Sequence, residues 1–247
     1  MARLPVRVGI CGDWMDHPML NGHHPGCVVN ASLWQTMANP RHGGLATSTA
    51  MTAEKIWGDG LPDNPDRETL AKTLFGAENV PDPSRKKLFI SGSQDAYGIV
   101  YPGINRLYYD NGYLPVVESV VDEGILAWAE SVLYLIPTHD RNMFYEPVLN
   151  MNGIRDNVKL LAAAGDVCWS AILRGDVRML GLSMNECRAA QSAIMPGMYD
   201  IKKIDWFPND IIGWKYSGAG GGGYVVAVSE KPLEKGIRLN IRRENGR

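Results

Sequence analysis

A run of glycines near the carboxyl end constrains the fold of this chain more than any other feature. Five of the six residues from Gly218 to Gly223 are glycine, and the apolar stretch "YVVAV" follows at once. Glycine loses more conformational entropy on folding than other residues, so an ordered run is typical of tight turning or of close approach to another backbone or a ligand. A flexible linker is the alternative, but serine-rich spacing is missing and a strand is predicted directly after the run.

A second segment with few bulky side chains, "PRHGGLATSTA" at residues 40–50, runs into a predicted helix. Glycines let backbone N–H groups converge on an anion, and the start of a helix adds the positive end of its dipole. A hydroxyl of Thr47 or Ser48 could reach a phosphate oxygen or a Mg²⁺ ion. A simple helix cap is the alternative. The Walker form is excluded, because the G-x-x-x-x-G-K-[ST] spacing and its lysine are absent.

A third segment, "PVRVGICGDWMDHP" at residues 5–18, predicts a strand that ends at Gly12. The strand delivers Asp13, Asp16 and His17 into a loop, where carboxylates could accept hydrogen bonds from a polyol. Acidic side chains that are merely solvated in a surface loop are the alternative for this segment taken alone.

Composition excludes several classes of protein. The 247 residues carry a formal net charge of −2 without a dense Lys/Arg block, so neither nucleic acid nor an anionic membrane is expected as a partner. No apolar segment approaches the roughly 20 residues that span a bilayer, and charges interrupt the amino-terminal apolar run, so we expect a cytoplasmic protein. The four cysteines lack the close spacing of a zinc site and are expected to be buried thiols.

Strands and helices alternate along the chain without strict βαβ regularity, which favours an α+β fold with two lobes joined near residues 110–125. An Asn-Gly pair at 111–112 predicts a hairpin. Further strands are predicted at 5–11, 26–33, 132–138, 222–230 and 235–244. Helices are predicted at 48–58, 67–79, 157–176 and 177–194, the last two separated near Gly175.

The three segments, in this order, resemble the motifs of the GHMP small-molecule kinases, the superfamily of galactokinase, homoserine kinase, mevalonate kinase and phosphomevalonate kinase. The first is similar to P-G-R-[VI]-x-[LF]-x-G-E-H-x-D-Y and the second to P-x-x-x-G-L-G-S-S-A. Between the second segment and the glycine run, "GSQDAYG" resembles G-x-Q-D-Q-Y. The motifs are most similar to those of the sugar-1-kinase, fucokinase and heptose-7-phosphate kinase branch.

This resemblance implies a two-lobed fold: an N-terminal mixed α/β lobe at 1–115 that binds nucleotide and substrate, and a C-terminal ferredoxin-like lobe at 116–247. Asp95 would be the base that takes the proton from the acceptor hydroxyl, and Arg7 beside it would stabilise phosphoryl charge. Substrate hydroxyls would be bound by Asp13, Asp16 and His17. The nucleotide phosphates would be bound by Gly43, Gly44, Leu45, Ala46, Thr47, Ser48 and Thr49, and the third motif would consist of Gly218, Gly220, Gly221 and Gly222.

The resemblance also implies ATP as phosphate donor and Mg²⁺ as cofactor. Thr47 or Ser48 would lie close to the metal, and Glu78, with Glu54 second, is the candidate acidic ligand. A surface glutamate in an ion pair is the alternative for either residue. Two further features have two interpretations each. Lys215 could face phosphate or solvent, and the segment "THDR" at 138–141 could close the substrate pocket or form an ordinary turn.

The chain departs from the family pattern in ways that affect nucleotide binding. Asp13 replaces the usual glutamate, Trp14 the usual histidine, and Ala46 and Thr47 replace glycine and serine. Few residues separate "VVNASLW" from "PRHGG", where relatives carry several dozen that include part of the adenine pocket. How adenine is bound is therefore left open.

The sequence thus predicts an ATP-dependent kinase for a hydroxyl, expected to be anomeric, of a sugar or sugar phosphate. The partner is this small molecule, and whether two copies form a homodimer is left open. A non-catalytic sugar and nucleotide sensor on the same fold is one alternative, although it would need neither Asp95 nor Arg7. A kinase for a non-sugar alcohol is the other; a pair of acidic residues, Asp13 and Asp16, would repel an anionic acceptor.

Overall fold

A computed structural model describes residues 4–34, 43–63, 66–81, 90–141, 145, 148, 151–199 and 209–244. The strands are β1 (Val6–Cys11), β2 (Gly26–Leu33), β3 (Ile104–Tyr109), β4 (Val116–Val120), β5 (Leu133–Pro137), β6 (Gly213–Tyr216), β7 (Tyr224–Val228) and β8 (Ile237–Arg238). The helices are α1 (Pro18–Asn21), α2 (Thr47–Trp57), α3 (Arg67–Glu78), α4 (Gln94–Val100), α5 (Glu123–Val132), α6 (Ile154–Arg174) and α7 (Val177–Ile194).

The first sheet has the strand order β1-β2-β3-β4, and every neighbouring pair is antiparallel. Helix α4 packs against β1 and β2. Gly98 allows this close approach, since a Cβ there would lie 2.8 Å from the Arg7 Cβ and from the Asn30 Nδ2. The amino end of α4, which carries Asp95, is thereby held against β1, which carries Arg7.

The second sheet has the order β6-β7-β5-β8 and is also antiparallel. Helices α6 and α7 pack against each other, and α7 packs against β6. The predicted break between the two helices is confirmed: Gly175 ends α6 at a φ of +67°, and the Asp176 side chain accepts hydrogen bonds from the amides of Arg178 and Met179. Asp176 thus caps the start of α7.

The two lobes share a continuous apolar core, and the end of the chain returns to the first sheet. Ile241 forms a bridge with Leu33, and the Arg242 amide donates to the Ser32 carbonyl at 2.8 Å. Strand β4 is paired with β3, so the first sheet extends to residue 120.

The α+β fold with two lobes is confirmed, but several elements differ from the sequence prediction. Helices α4 and α5 and strand β6 were not predicted from periodicity, and the strand predicted at 235–244 is reduced to the two residues of β8. All four cysteines are buried free thiols, as predicted. Among the described residues, no helix is both long and apolar enough to cross a bilayer.

Candidate active site

An arginine on β1 and an aspartate on α4 form an ion pair at the centre of the site. The Arg7 Nε donates to the Asp95 Oδ1 at 2.7 Å, and the Arg7 Nη2 contacts the same oxygen. Burial alone would lower the pKa of Arg7, but the charges of Asp95 and Asp13 raise it above its usual value. Arg7 is therefore a permanent cation that fixes the orientation of Asp95.

The segment Gly43–Ala46 forms a bend that leads into α2 beside this ion pair. Gly44 has a φ of +102° and Ala46, the N-cap residue, a φ of +55°. The Arg7 Nη1 donates to the Gly44 carbonyl at 3.1 Å, which ties the bend to β1. Ala46 provides no side-chain cap, so the simple capping role considered for the hydroxyls of this segment is not what the structure shows.

The three hydroxyls that follow the bend face different surroundings. Thr47 is half-buried and lies outside the cavity lining, whereas Ser48 is exposed and lines it. Thr49 is fully buried, with its Oγ1 at 2.8 Å from the Glu78 Oε1 and 3.5 Å from the Asp95 Oδ2. Leu45 is buried in the core and does not line the cavity.

The glycine run packs against the bend, which explains why both segments lack side chains. A Cβ on Gly223 would overlap the Gly43 carbonyl oxygen, and a Cβ on Gly44 would lie 2.7 Å from the Ser217 carbonyl oxygen. All five glycines of the run have positive φ angles, from +69° to +127°. The run is an ordered turn and not a linker.

The predicted members of the third motif contact protein groups that shape the site. A Cβ on Gly218 would lie 3.2 Å from the Arg7 Nη2, and one on Gly221 would lie 2.7 Å from the Tyr145 ring. Gly220 and Gly222 approach Met198 and the His139 carbonyl in the same way. The run therefore supports the bend and Arg7 from the second lobe.

Asp13, which the sequence predicts to bind substrate hydroxyls, is engaged by groups inside the protein. Its side chain is completely buried, forms an ion pair with the equally buried Lys215, and accepts a hydrogen bond from the Gly218 amide at 3.1 Å. Because its oxygens are used inside the protein, Asp13 does not line the cavity. Lys215 likewise does not line the cavity and is fully buried.

Asp16 and His17 do line the cavity. The Asp16 carboxylate accepts hydrogen bonds from the Gln94 amide at 3.2 Å and from the Gln94 Nε2 at 3.1 Å. Burial, with the charge of Asp95 adding to it, raises the pKa of Asp16 to about 7. Gly92 packs so closely that a Cβ would overlap the Asp16 carboxylate. The buried carboxylate is thus held at the cavity wall at an energetic cost.

That cost predicts a pH dependence of folding stability. A carboxyl group with a raised pKa holds its proton more tightly in the folded state, so its contribution to stability is lost as the pH rises from about 4 to about 7. Relative to Asp16→Asn, we expect the wild type to lose about 2 kcal/mol of unfolding free energy between pH 5 and pH 8. Urea unfolding at both pH values measures this difference. The exposed Asp110→Asn is the control, and equal pH slopes for wild type and Asp16→Asn would contradict the prediction.

Glu78, at the end of α3, joins the site through its hydrogen bond with Thr49. It lines the cavity together with Ser48, whereas Glu54 is exposed on α2 and does not. Carboxylate and hydroxyl oxygens are suitable ligands for Mg²⁺. The ion usually keeps several waters and contacts phosphates as well. The donors present therefore fit a magnesium ion at Glu78 and Ser48.

These residues surround a cavity of about 260 Å³. Sequence reasoning did not select several of its lining residues: Trp14, Ser91, Gly92, Gln94, Tyr145 and Ala219. Arg141 lies in the segment 138–141, for which closure of the substrate pocket was one of two interpretations. Among the described residues, three buried polar atoms of this wall have no hydrogen-bond partner: the Trp14 Nε1, the Gln94 Oε1 and the Arg141 Nη2. Gln94 belongs to the "GSQDAYG" motif, Trp14 to the segment 5–18 and Arg141 to the segment 138–141. Nothing in the local sequence indicates that these three side chains face one cavity.

One comparison matches the carboxyl-terminal part of the chain to a protein family. Residues 170–246 match a family profile described as GHMP kinases C terminal. No curated protein matches the sequence.

Solved structures resemble most of the chain. A D-glycero-D-manno-heptose 1-phosphate kinase from Bacteroides thetaiotaomicron has a TM-score of 0.59 at 15% identity, over 92% of this chain and 87% of that one. A sugar kinase from Campylobacter jejuni gives 0.54 at 16% identity, over 92% and 86%. The phosphomevalonate kinase of Streptococcus pneumoniae gives 0.55 at 11% identity, over 91% and 89%. At identities this low, the similarity shows that the fold is shared and no more.

Proposed function

We propose that this chain, which has the fold of the GHMP kinases, is an ATP-dependent, Mg²⁺-requiring small-molecule kinase that phosphorylates a hydroxyl of a sugar or sugar phosphate. One observation carries the proposal: Asp95, oriented by Arg7, faces a cavity at the point where the bend leads into α2. A carboxylate beside a helix start and a phosphate-sized space is what phosphoryl transfer to a hydroxyl requires.

The proposed reaction assigns one step to each of these groups. Asp95 accepts the proton of the acceptor hydroxyl as the acceptor oxygen forms its bond to the terminal phosphorus of ATP. The bond between that phosphorus and the bridging oxygen breaks, and ADP leaves with the electron pair. Arg7 keeps the base in position and stabilises phosphoryl charge, and the first turn of α2 contributes backbone N–H donors.

Glu78 and Ser48 would hold the magnesium ion, which supplies charge neutralisation of the phosphate oxygens. Thr49 keeps Glu78 in place through its hydrogen bond at 2.8 Å. Thr47, proposed as an alternative ligand, is less suited because it lies outside the cavity lining. Nucleotide binding is assigned to the first lobe, with the glycine run of the second lobe as its support.

A sugar suits the wall of the cavity better than an apolar alcohol. The Trp14 Nε1 is a donor and the Gln94 Oε1 an acceptor, and both are buried without a partner among the described residues. Neighbouring hydroxyls of a sugar satisfy both kinds of atom, since each hydroxyl donates and accepts. Asp16, also in the wall, adds carboxyl oxygens that can accept from a sugar hydroxyl. The anomeric hydroxyl is the proposed acceptor within the sugar.

An assay of ADP release tests the proposal. The purified chain is incubated with ATP, MgCl₂ and a panel of aldoses, sugar phosphates, mevalonate and homoserine, and the phosphorylated product is identified by ³¹P NMR. We expect turnover with at least one sugar or sugar phosphate, and loss of that turnover when EDTA removes the metal. Turnover with mevalonate or homoserine alone would overturn the sugar assignment. Binding of nucleotide and sugar without ADP release would favour the sensor.

A further inference from the structure

Arg141 follows strand β5 and is fixed to the glycine run of the second lobe. Thr138 donates through its amide, at 2.8 Å, and through its Oγ1, at 2.9 Å, to the Gly223 carbonyl. The Gly223 amide donates in turn to the His139 carbonyl at 2.9 Å, and the Arg141 Nε donates to the Gly220 carbonyl at 2.7 Å. These bonds determine where the guanidinium of Arg141 lies.

The guanidinium reaches across to the bend of the first lobe. A Cβ on Gly43 would lie 3.1 Å from the Arg141 Cζ and 3.3 Å from its Nη2, so the planar group lies directly against the backbone of the bend. Arg141 lines the same cavity as Asp95, Arg7, Ser48 and Glu78. The second lobe therefore places a cation at the bend, on the wall of the proposed reaction site.

Arg141 differs from Arg7 in having an unused donor. The Nε and Nη2 of Arg7 bond Asp95, and its Nη1 bonds Gly44 and Ser217. The Arg141 Nη2 is buried and has no partner among the described residues. Burial and the charge of Arg7 lower the pKa of Arg141, so an unpaired guanidinium here is costly. An anion in the cavity would remove that cost.

We propose that Arg141 is a phosphate-binding catalytic residue, contributed by the second lobe, which contacts a phosphate group in the cavity beside the bend. The inference rests on the proposed function and adds to it a residue for which the motifs gave no role in catalysis. Phosphate matches a planar guanidinium with a free N–H, and the bend beside it leads directly to the start of α2. The phosphate belongs either to the end of the nucleotide or to a phosphorylated acceptor.

The test compares Arg141→Gln, Arg141→Lys and the exposed control Arg155→Gln with the wild type. Isothermal titration calorimetry measures the Kd of a non-hydrolysable ATP analogue and of ADP, and steady-state assays give kcat and KM. If the phosphate is the terminal one of ATP, Arg141→Gln raises the Kd of the ATP analogue about 10-fold or more and leaves the Kd of ADP within about 2-fold of the wild-type value. It also lowers kcat by about 10²- to 10³-fold. Arg141→Lys recovers part of kcat, because it restores the charge.

If the phosphate belongs to the acceptor, both nucleotide affinities stay unchanged in Arg141→Gln, and KM rises about 10-fold or more for a sugar phosphate but not for the free sugar. Either pattern supports the proposal. A fall in Tm with unchanged Kd, kcat and KM would show a structural role and overturn it, as would variants indistinguishable from the wild type.

The outcomes also separate this inference from the proposed function. If the wild type turns over sugars and Arg141→Gln behaves like the wild type, the kinase function is supported and the role of Arg141 is refuted. If the wild type shows no turnover but binds the ATP analogue more tightly than ADP, and this preference depends on Arg141, the kinase function is refuted and the phosphate contact is supported.

Discussion

Substituting Asp95 by asparagine is expected to lower kcat by about 10³-fold or more while the Kd of a non-hydrolysable ATP analogue stays within about 2-fold. The asparagine oxygen can still accept from the Nε of Arg7, 2.7 Å away in the wild type, so the site should keep its geometry. What is lost is the group that accepts the hydroxyl proton, and the loss should therefore appear in kcat. Steady-state ADP release and calorimetric titration measure the two quantities.

Asp110→Asn is the matched control, because Asp110 is exposed and lies outside the cavity lining. It should keep wild-type kcat and nucleotide affinity. A Tm for Asp95→Asn close to that of the wild type would show that the fold is intact. Unchanged turnover in Asp95→Asn would remove this residue from the mechanism, and an equal loss of nucleotide affinity would show that it acts in binding.

Substituting Lys215 by methionine is expected to reduce the free energy of unfolding by about 3–5 kcal/mol, because it leaves the Asp13 carboxylate buried without its counter-ion. Both side chains of the pair are 0% exposed. Lys215 also lies 3.4 Å from the Gly9 carbonyl, which would lose a donor as well. Urea unfolding monitored by circular dichroism gives the difference.

The double variant with Asp13→Asn should recover part of this loss, since a neutral amide costs less to bury than a carboxylate and can still accept from the Gly218 amide. Lys231→Met is the surface control. Its ion pair with Asp210, at 3.0 Å, joins side chains that are 70% and 54% exposed, and its loss should cost less than about 1 kcal/mol. A Lys215→Met variant as stable as this control would refute the structural role assigned to the pair.

Many elements of the fold could be read from local sequence. The alternating strands at β1 and β2, the helix that begins after the bend, and the Asn-Gly hairpin between β3 and β4 all occur where the patterns predicted them. Helix α4 was missed because it is only seven residues long and almost all of its residues are buried. A helix buried on all sides lacks the apolar and polar faces whose periodicity reveals a helix in the sequence. Strand β6 was missed because a lysine interrupts it, and nothing local indicates that this lysine is buried.

For the candidate site, the resemblance to the family motifs predicted that Arg7 lies beside Asp95, although 88 residues separate them in the sequence. The burial of Asp13 could not be predicted, because its partner Lys215 lies 202 residues away, in a strand that the patterns did not predict. For the segment that contains Arg141, the sequence left open whether it closes the substrate pocket or forms an ordinary turn, since the unused donor depends on how the second lobe packs against the bend.

The sequence by itself determined where backbone must approach backbone, because a glycine run before a strand and a glycine pair before a helix are local requirements that few other residues satisfy. Only the tertiary structure decided which charged side chains are used inside the protein and which face the cavity. That choice depends on pairings between distant segments in a desolvated interior, where a partner a few ångströms away determines whether a carboxylate or guanidinium is satisfied or available.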